Sequence, residues 1–359
     1  MRIVALDVHQ RTRTLNTPFA SVKRGVLREV VTTLVELRLE DGRSAWGEIA
    51  MPAVSGETPG GVLAALRGPL RDAVIGAAAE DLEQLTERIE RALTGNQGAK
   101  SAVDIAVHDA FAQVLAAPLY RVLGGSAREL ETCVTLGTGP AEEVARRAAE
   151  LVAGGCTAVK MKVGGETAED LSRVLAVRRA VGAGVKLLLD ANQSWTAKKA
   201  VHILRSLEDA GADIELVEQP VAAWDRTGMR YVRERATALI VADESLVSAQ
   251  DALDIVRHEA ADVLALKLQK NGGISKVLRI AAVAEAAGLP CMIGCSLESE
   301  VSISAAAAVA AARSCFTYVD LDAPLLLDSS PVHGGVQYHG TAIRLPEAAG
   351  LGVTGLRAD

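Results

Sequence analysis

Apolar positions along this chain change their period twice. Residues 29–39 and 44–49 are β-branched and apolar runs, and the Glu40-Asp41-Gly42-Arg43 segment between them carries the Asp-Gly pair of a hairpin turn. This spacing predicts an antiparallel meander. From Thr58 the period becomes helical: Leu82, Leu85 and Ile89 fall at i, i+3 and i+7, and residues 101–115 place Val103, Ala106, Val107 and Ala110 on one face. Residues 1–125 are therefore expected to form an α+β domain that ends at Leu123-Gly124-Gly125.

Beyond that point eight short apolar runs, 132–136, 158–163, 185–189, 214–217, 239–242, 263–268, 290–293 and 317–321, alternate with segments of helical composition. One such segment, with Val277, Ile280, Ala281 and Ala284, shows the stripe of a helix lying on a sheet. Strands apolar on both faces and separated by helices argue for a parallel sheet, and eight of them argue for closure into a barrel. The expected class is α/β, with a TIM-type barrel over residues 126–322. The tail, 323–359, opens with Pro324 and is Gly-rich, so it is expected to run back onto the first domain.

A length of 359 residues with 49% hydrophobic content suits two domains. The 38 basic and 45 acidic side chains leave a net charge of -7, and there are only three Trp, four Tyr and three Phe, which excludes a nucleic-acid surface. Five scattered cysteines without a C-x-x-C pattern point to a reducing, cytoplasmic setting. The most apolar stretch, 305–312, is too short for a membrane span, and no secretory leader is read at the start.

The informative feature is what ends each apolar run. Lys160 and Lys162 close the second, Asp190 the third, Glu218 the fourth, Asp243 the fifth, Lys267 the sixth, and Asp320 with Asp322 the eighth. From Lys162 the steps are 28, 28, 25 and 24 residues, one βα unit each. A parallel barrel gathers these ends around one mouth. Three facing carboxylates repel unless a cation lies between them, and hard oxygen donors without His or Cys suit Mg²⁺ or Mn²⁺. The competing reading of each carboxylate is the N-cap of the next helix. None of the six histidines ends a strand, so acid–base chemistry falls to lysines, whose pKa is expected to be lowered by burial and neighbouring cations. Lys162 and Lys267 lie on opposite sides of the carboxylate strands. That arrangement suits removing a proton α to a carboxylate and returning one from the other face, with the metal and Lys160 stabilising the enediolate.

The motifs Lys160-Met161-Lys162, Asp190-Ala191-Asn192-Gln193, Glu218-Gln219-Pro220, Asp243-Glu244-Ser245 and Lys267 to Gly273, with Trp46-Gly47-Glu48 near the start, resemble the enolase superfamily, muconate-lactonizing subgroup. The resemblance spans essentially the whole chain. It implies a modified (β/α)₇β barrel under an α+β capping domain, with Lys162 and Lys267 catalytic and Asp190, Glu218 and Asp243 binding Mg²⁺, or Mn²⁺. No histidine stands near the end of the seventh run, unlike the mandelate-racemase-like subgroup.

Within the subgroup, Asp320-Leu321-Asp322 and Ile293 to Ser299 resemble the dipeptide epimerases. That likeness implies inversion of the α-carbon of a dipeptide's C-terminal residue, by two-base proton transfer through a metal-stabilised enediolate. Asp320 and Asp322 would hold the substrate's ammonium, Thr135, Lys160 and Cys295 would touch the substrate, and Asn192 would support the ligands. The competing reading has Asp322 capping a turn and Asp320 paired with a barrel lysine. Arg24, with Lys23, resembles the element that receives an acidic side chain, on a mobile loop over 17–26. Both also read as surface charge. Glu300 suits a cationic side chain, and Ser296 stands where Met is commoner. The resemblance also implies a homo-oligomer. Alternatives are an N-acylamino acid racemase, an o-succinylbenzoate synthase or other lyase, a cycloisomerase, and an inactive metal-binding barrel.

Overall fold

The computed structural model describes residues 1–22, 25–51 and 55–358. Three antiparallel strands, Ile3–Ser21, Gly25–Leu39 and Ser44–Met51, form the amino-terminal meander. The Asp-Gly turn falls where the pattern placed it, with Gly42 at φ +89°. The outer hairpin is longer than expected: pairing continues through Phe19↔Leu27 to Ser21↔Gly25, after a register shift between Thr14 and Phe19. The reason is packing. Phe19 and Leu27 rest on a small apolar cluster with Leu15, Val30 and the tail residues Leu326 and Leu327, so this stretch has a buried side although its sequence reads as a loop.

Four helices, Pro59–Arg67, Pro69–Val74, Leu82–Ala92 and Gln97–Val114, cover the meander and share a core with Val35, Leu37 and Ile49. The longest lies so close to the sheet that a Cβ on Gly47 would overlap the Ala102 carbonyl.

The eight apolar runs become eight strands: Val134–Leu136, Ala158–Lys162, Lys186–Asp190, Ile214–Glu218, Leu239–Ala242, Val263–Leu266, Cys291–Gly294 and Phe316–Asp320. They pair in parallel in sequence order. The barrel nearly closes, the first and last strands meeting through the Cys133 N–H, which donates to the Val319 carbonyl at 3.1 Å. Inward positions along these strands stack Cys133, Leu188, Leu216, Val241, Val263, Ala265 and Met292 into a buried apolar floor. Alternation then points the residue two places on, such as Asp190 after Leu188 and Glu218 after Leu216, into the mouth. In the tail, Gln337–His339 and Ala342–Arg344 join Leu130–Glu131 in a small sheet, and Val332–Gly334 pairs with Val353–Leu356. Among the described residues no helix is long and apolar enough to cross a membrane.

Asp109 ties the tail to the first domain. Its buried carboxylate accepts the N–H groups of Trp46 and Leu351, both at 2.8 Å, and the Gln113 amide at 3.2 Å. Burial outweighs these bonds and pushes its pKa from 3.8 up to about 6. The stability linked to Asp109 is therefore full below about pH 4 and is lost as pH rises through about 6, worth roughly 3 kcal/mol. Urea unfolding at about pH 4 and about pH 8 should show the wild type losing roughly that amount relative to Asp109→Asn. A stability gap that does not change with pH would rule this out.

Candidate active site

The strand ends bring most of the singled-out residues to one cavity of about 470 Å³, lined by Thr135, Lys160, Lys162, Asn192, Asp243, Lys267, Cys295, Asp320 and Asp322 among others. Asp190 and Glu218, paired in register, lie fully buried beneath it. The Lys162 ammonium is 2.5 Å from Asp190 Oδ2, and Lys160 Nζ is 2.6 Å from Glu218 Oε2 and 2.7 Å from Asp320 Oδ2. Lys267 Nζ is 2.8 Å from Asp243 Oδ2 and 3.4 Å from Glu218 Oε1. Lys162 and Lys267 thus flank the carboxylates from opposite sides. None of the three carboxylates caps a helix. The N-caps of the following helices are Thr196, Asp225 and Ser248, each with its own side-chain bond.

The electrostatics differ from the expectation of lowered lysines. Burial disfavours the Lys267 ammonium, but Asp243 and Glu218 outweigh it and hold its pKa well above the usual value. Lys160 is raised likewise by Asp320, Glu218 and Asp190. Both are therefore ammonium ions, proton donors in this state. Burial, with Asp190 and Asp243 nearby, pushes Glu218 up to about 8. At Asp190 burial is overcome by Lys162, Lys160 and Lys267, leaving about 2.

Asp320 is paired with Lys160, as the competing reading had it, and also accepts the Cys133 thiol at 3.3 Å. Asp322 begins the short helix Ala323–Leu326 but makes no side-chain cap there. Instead Asp322 Oδ2 accepts the Thr135 N–H at 2.6 Å, and Cys295 Sγ lies 3.9 Å from Oδ1. Burial and Asp320 raise Asp322 to about 6. Asn192 donates to Glu244 at 3.2 Å, and its N–H reaches Asp190 Oδ1 at 2.9 Å. Glu300 does not line the cavity. It begins the helix Glu300–Ala312 and accepts the Ser330 hydroxyl at 2.6 Å, so it faces the tail. Arg24 and Lys23 lie outside the described residues.

Sequence reasoning missed two kinds of residue. Gln219, in the left-handed region at φ +40°, accepts the N–H groups of Asp243 and Ser245 and donates to Ser245 Oγ, locking two strand ends together. Lys270 donates to Asp243 Oδ1 at 2.6 Å. Both stood inside quoted motifs, and a polar residue just past a strand end was the available signal. Of the walls formed by Phe19, Leu27, Leu297 and Leu326, Leu297 stands in the Ile293 to Ser299 motif and Phe19 in the 17–26 loop, whereas Leu27 and Leu326 gave no signal, because they arrive from the hairpin and the tail.

Among the described residues no three His, Cys, Asp or Glu groups stand close enough to hold one ion, since ammonium groups stand between the carboxylates. The donor chemistry nonetheless fits a hard divalent cation: Asp190, Glu218 and Asp243 are all buried oxygen donors on successive strand ends. Glu218 Oε2 faces the Lys160 ammonium without an aligned hydrogen bond.

A nearly closed parallel barrel with lysines and carboxylates around its mouth, under an α+β cap, defines a class of capped-barrel proteins. The mandelate racemase / muconate lactonizing enzyme N-terminal domain matches residues 3–124, and the enolase C-terminal domain-like family matches 143–358. The chain belongs to this family, within the enolase superfamily. It is 37% identical to the L-Ala-D/L-Glu epimerase of Bacillus subtilis, covering 99% of this chain and 97% of that one. To the hydrophobic dipeptide epimerase of Enterococcus faecalis it is 39% identical, covering 99% and 100%. A substrate-liganded structure of the Bacillus subtilis enzyme superposes with a TM-score of 0.97 at 36% identity, covering all of both chains. The Enterococcus faecalis dipeptide epimerase complexed with Mg and L-Leu-L-Tyr gives 0.94 at 39% identity, covering 99% and 100%.

Proposed function

We propose that this chain is a Mg²⁺-dependent dipeptide epimerase that inverts the α-carbon of the C-terminal residue by two-base proton transfer. The observation that carries the proposal is the placement of Lys162, beside Asp190, and Lys267, beside Asp243 and Glu218, on opposite sides of this buried trio of carboxylates, both lysines facing the same cavity. Asp190, Glu218 and Asp243 would hold Mg²⁺, which when bound supplies a Lewis acid for the charge developing on the substrate carboxylate.

The chain's own residues do the rest. The lysine facing the α-hydrogen takes it as a neutral amine, which for Lys267 would require a bound cation to take over its partners Asp243 and Glu218, and the other, held as an ammonium, donates from the opposite face. Lys160 adds a fixed positive charge beside the developing anion. Asp320 and Asp322 offer two carboxylates to the substrate's ammonium, and the ordering of Asp322 by the Thr135 N–H directs it there. Phe19, Leu27 and Leu326 wall off water. We place the enzyme in the cytoplasm, where its five free cysteines stay reduced.

The test is a dipeptide library incubated in deuterium oxide and read by mass spectrometry. Label should enter at the C-terminal α-carbon of free dipeptides and be slower for N-acetylated ones. Faster labelling of the acylated set would redirect the reading to an N-acylamino acid racemase. No labelling of either would reject it.

A further inference from the structure

We infer that Asp104 and Glu48 of the amino-terminal domain are positioning residues for the reaction: each supplies, from outside the barrel, the cap of a barrel helix and so fixes the segment carrying Lys267 or Cys295. The inference rests on the proton-transfer reading above. The helix Ile274–Ala287 starts from Gly273 and has no side-chain cap of its own. Asp104, on the helix Gln97–Val114, fills that role. Its Oδ1 accepts the N–H groups of Ile274 at 2.6 Å and Ser275 at 3.3 Å, and its Oδ2 accepts the Ser275 hydroxyl at 2.7 Å. Gly273, at φ +108°, is required because a Cβ there would run into the Asp104 carboxylate.

The residues between Lys267 and this helix start transmit any shift. The Lys267 N–H donates to Asn271 Oδ1 at 2.9 Å, and Gly272 and Gly273 both donate to the Leu268 carbonyl at 2.9 Å. Gln269 exchanges two hydrogen bonds with the backbone of Ala50, a second grip from the amino-terminal domain on the same segment.

Glu48 repeats the device one unit later. At the helix Glu300–Ala312 the hydroxyl of Ser299 reaches the Val301 N–H at only 3.4 Å. Glu48 Oε1 accepts the Ser299 N–H at 2.8 Å, and Oε2 accepts the Ser299 hydroxyl at 2.7 Å and the Ser302 N–H at 3.0 Å. It thereby does both jobs that a capping box divides between two residues of one helix. The segment it holds leads back through Leu297 and Ser296 to Cys295, all on the cavity wall.

The two caps govern different outcomes, which separates positioning from general stability. Each epimer is incubated separately in deuterium oxide with the Mg²⁺-loaded enzyme, its facing lysine having been identified with the Lys→Ala variants. Asp104→Ala should slow α-hydrogen exchange of the epimer facing Lys267 by about tenfold or more, while the epimer facing Lys162 changes by less than about twofold. Asp104→Asn, which keeps an oxygen for the Ile274 N–H, should restore most of the loss. Glu48→Gln should raise KM at least about fivefold and leave the ratio of the two exchange rates unaltered. In the metal-free proteins, amide exchange of residues 268–275 should quicken about tenfold in Asp104→Ala. If Asp104→Ala does not fold, Ser275→Ala removes one of the three contacts and should move the ratio in the same direction. Equal slowing of both epimers, or unaltered amide exchange at 268–275, overturns the inference. A wild type that labels no dipeptide overturns the epimerase reading instead, and the amide-exchange measurement still decides the clamp.

Discussion

Lys267→Ala is expected to stop inversion while leaving hydrogen exchange at one epimer intact. Each lysine faces one side of the reacting carbon, so the epimer whose α-hydrogen points at Lys162 still loses it and regains solvent deuterium from the same lysine, with retention. The epimer pointing at the missing amine does neither. Lys162→Ala should give the mirror result. A loss of about 10²–10⁴-fold in inversion is the range for a positioned acid or base. The fold should survive the change, because Asp243 keeps Lys270 at 2.6 Å and Glu218 keeps Lys160 at 2.6 Å. Chiral chromatography with mass detection reads both quantities in one run. Wild-type inversion by Lys267→Ala would end the two-base proposal.

Glu218→Gln is expected to be comparably severe by another route. The amide keeps the shape of the side chain and an oxygen for Lys160, but it removes one of the three carboxylates that suit a hard cation. Titration calorimetry should show Mg²⁺ affinity reduced by about 100-fold or more, with inversion lost at ordinary Mg²⁺ and partly recovered at high Mg²⁺. Stripping the wild type with a chelator should abolish exchange, and Mg²⁺ should restore it. Undiminished affinity in Glu218→Gln would remove Glu218 from the ligand set.

What was legible in the sequence was whatever repeats. The barrel strands could be read because each is a short run apolar on both faces, and their last residues because Lys162, Asp190, Glu218 and Lys267 interrupt those runs in a fixed phase. What stayed hidden depends on contacts between distant segments. Phe19 and Leu27 extend a hairpin because tail residues cover them. Asp104 looks like an ordinary charge in a helix, and Glu48, although it stands in the Trp46-Gly47-Glu48 motif, gives no sign of its partner; their work is visible only where barrel helices begin against them. Glu300 illustrates the opposite error: proximity in sequence to the seventh strand suggested the cavity, but the first turn of its helix directs it to Ser330. The lysine pKa direction stays hidden for a physical reason as well: without a cation in the site, the carboxylates within 3 Å of Lys160 and Lys267 outweigh burial.

The apolar floor of the barrel has a consequence for the fate of the transferred hydrogen. Leu188, Leu216, Val241, Val263, Ala265 and Met292 close the space beneath the site, and aliphatic side chains carry no proton relay. Among the described residues the Cys133 thiol, which donates to Asp320, is the one protic group in that floor, so the capped end is the main route by which solvent hydrogen reaches the two lysines. Lys267, with 8% of its side chain accessible against 15% for Lys162, is the more secluded. If the mouth opens more slowly than substrate turns over, each lysine would carry an isotopic memory between openings. The hydrogen returned to unreacted substrate, compared with that found in product, would count those openings without any probe of the cap itself.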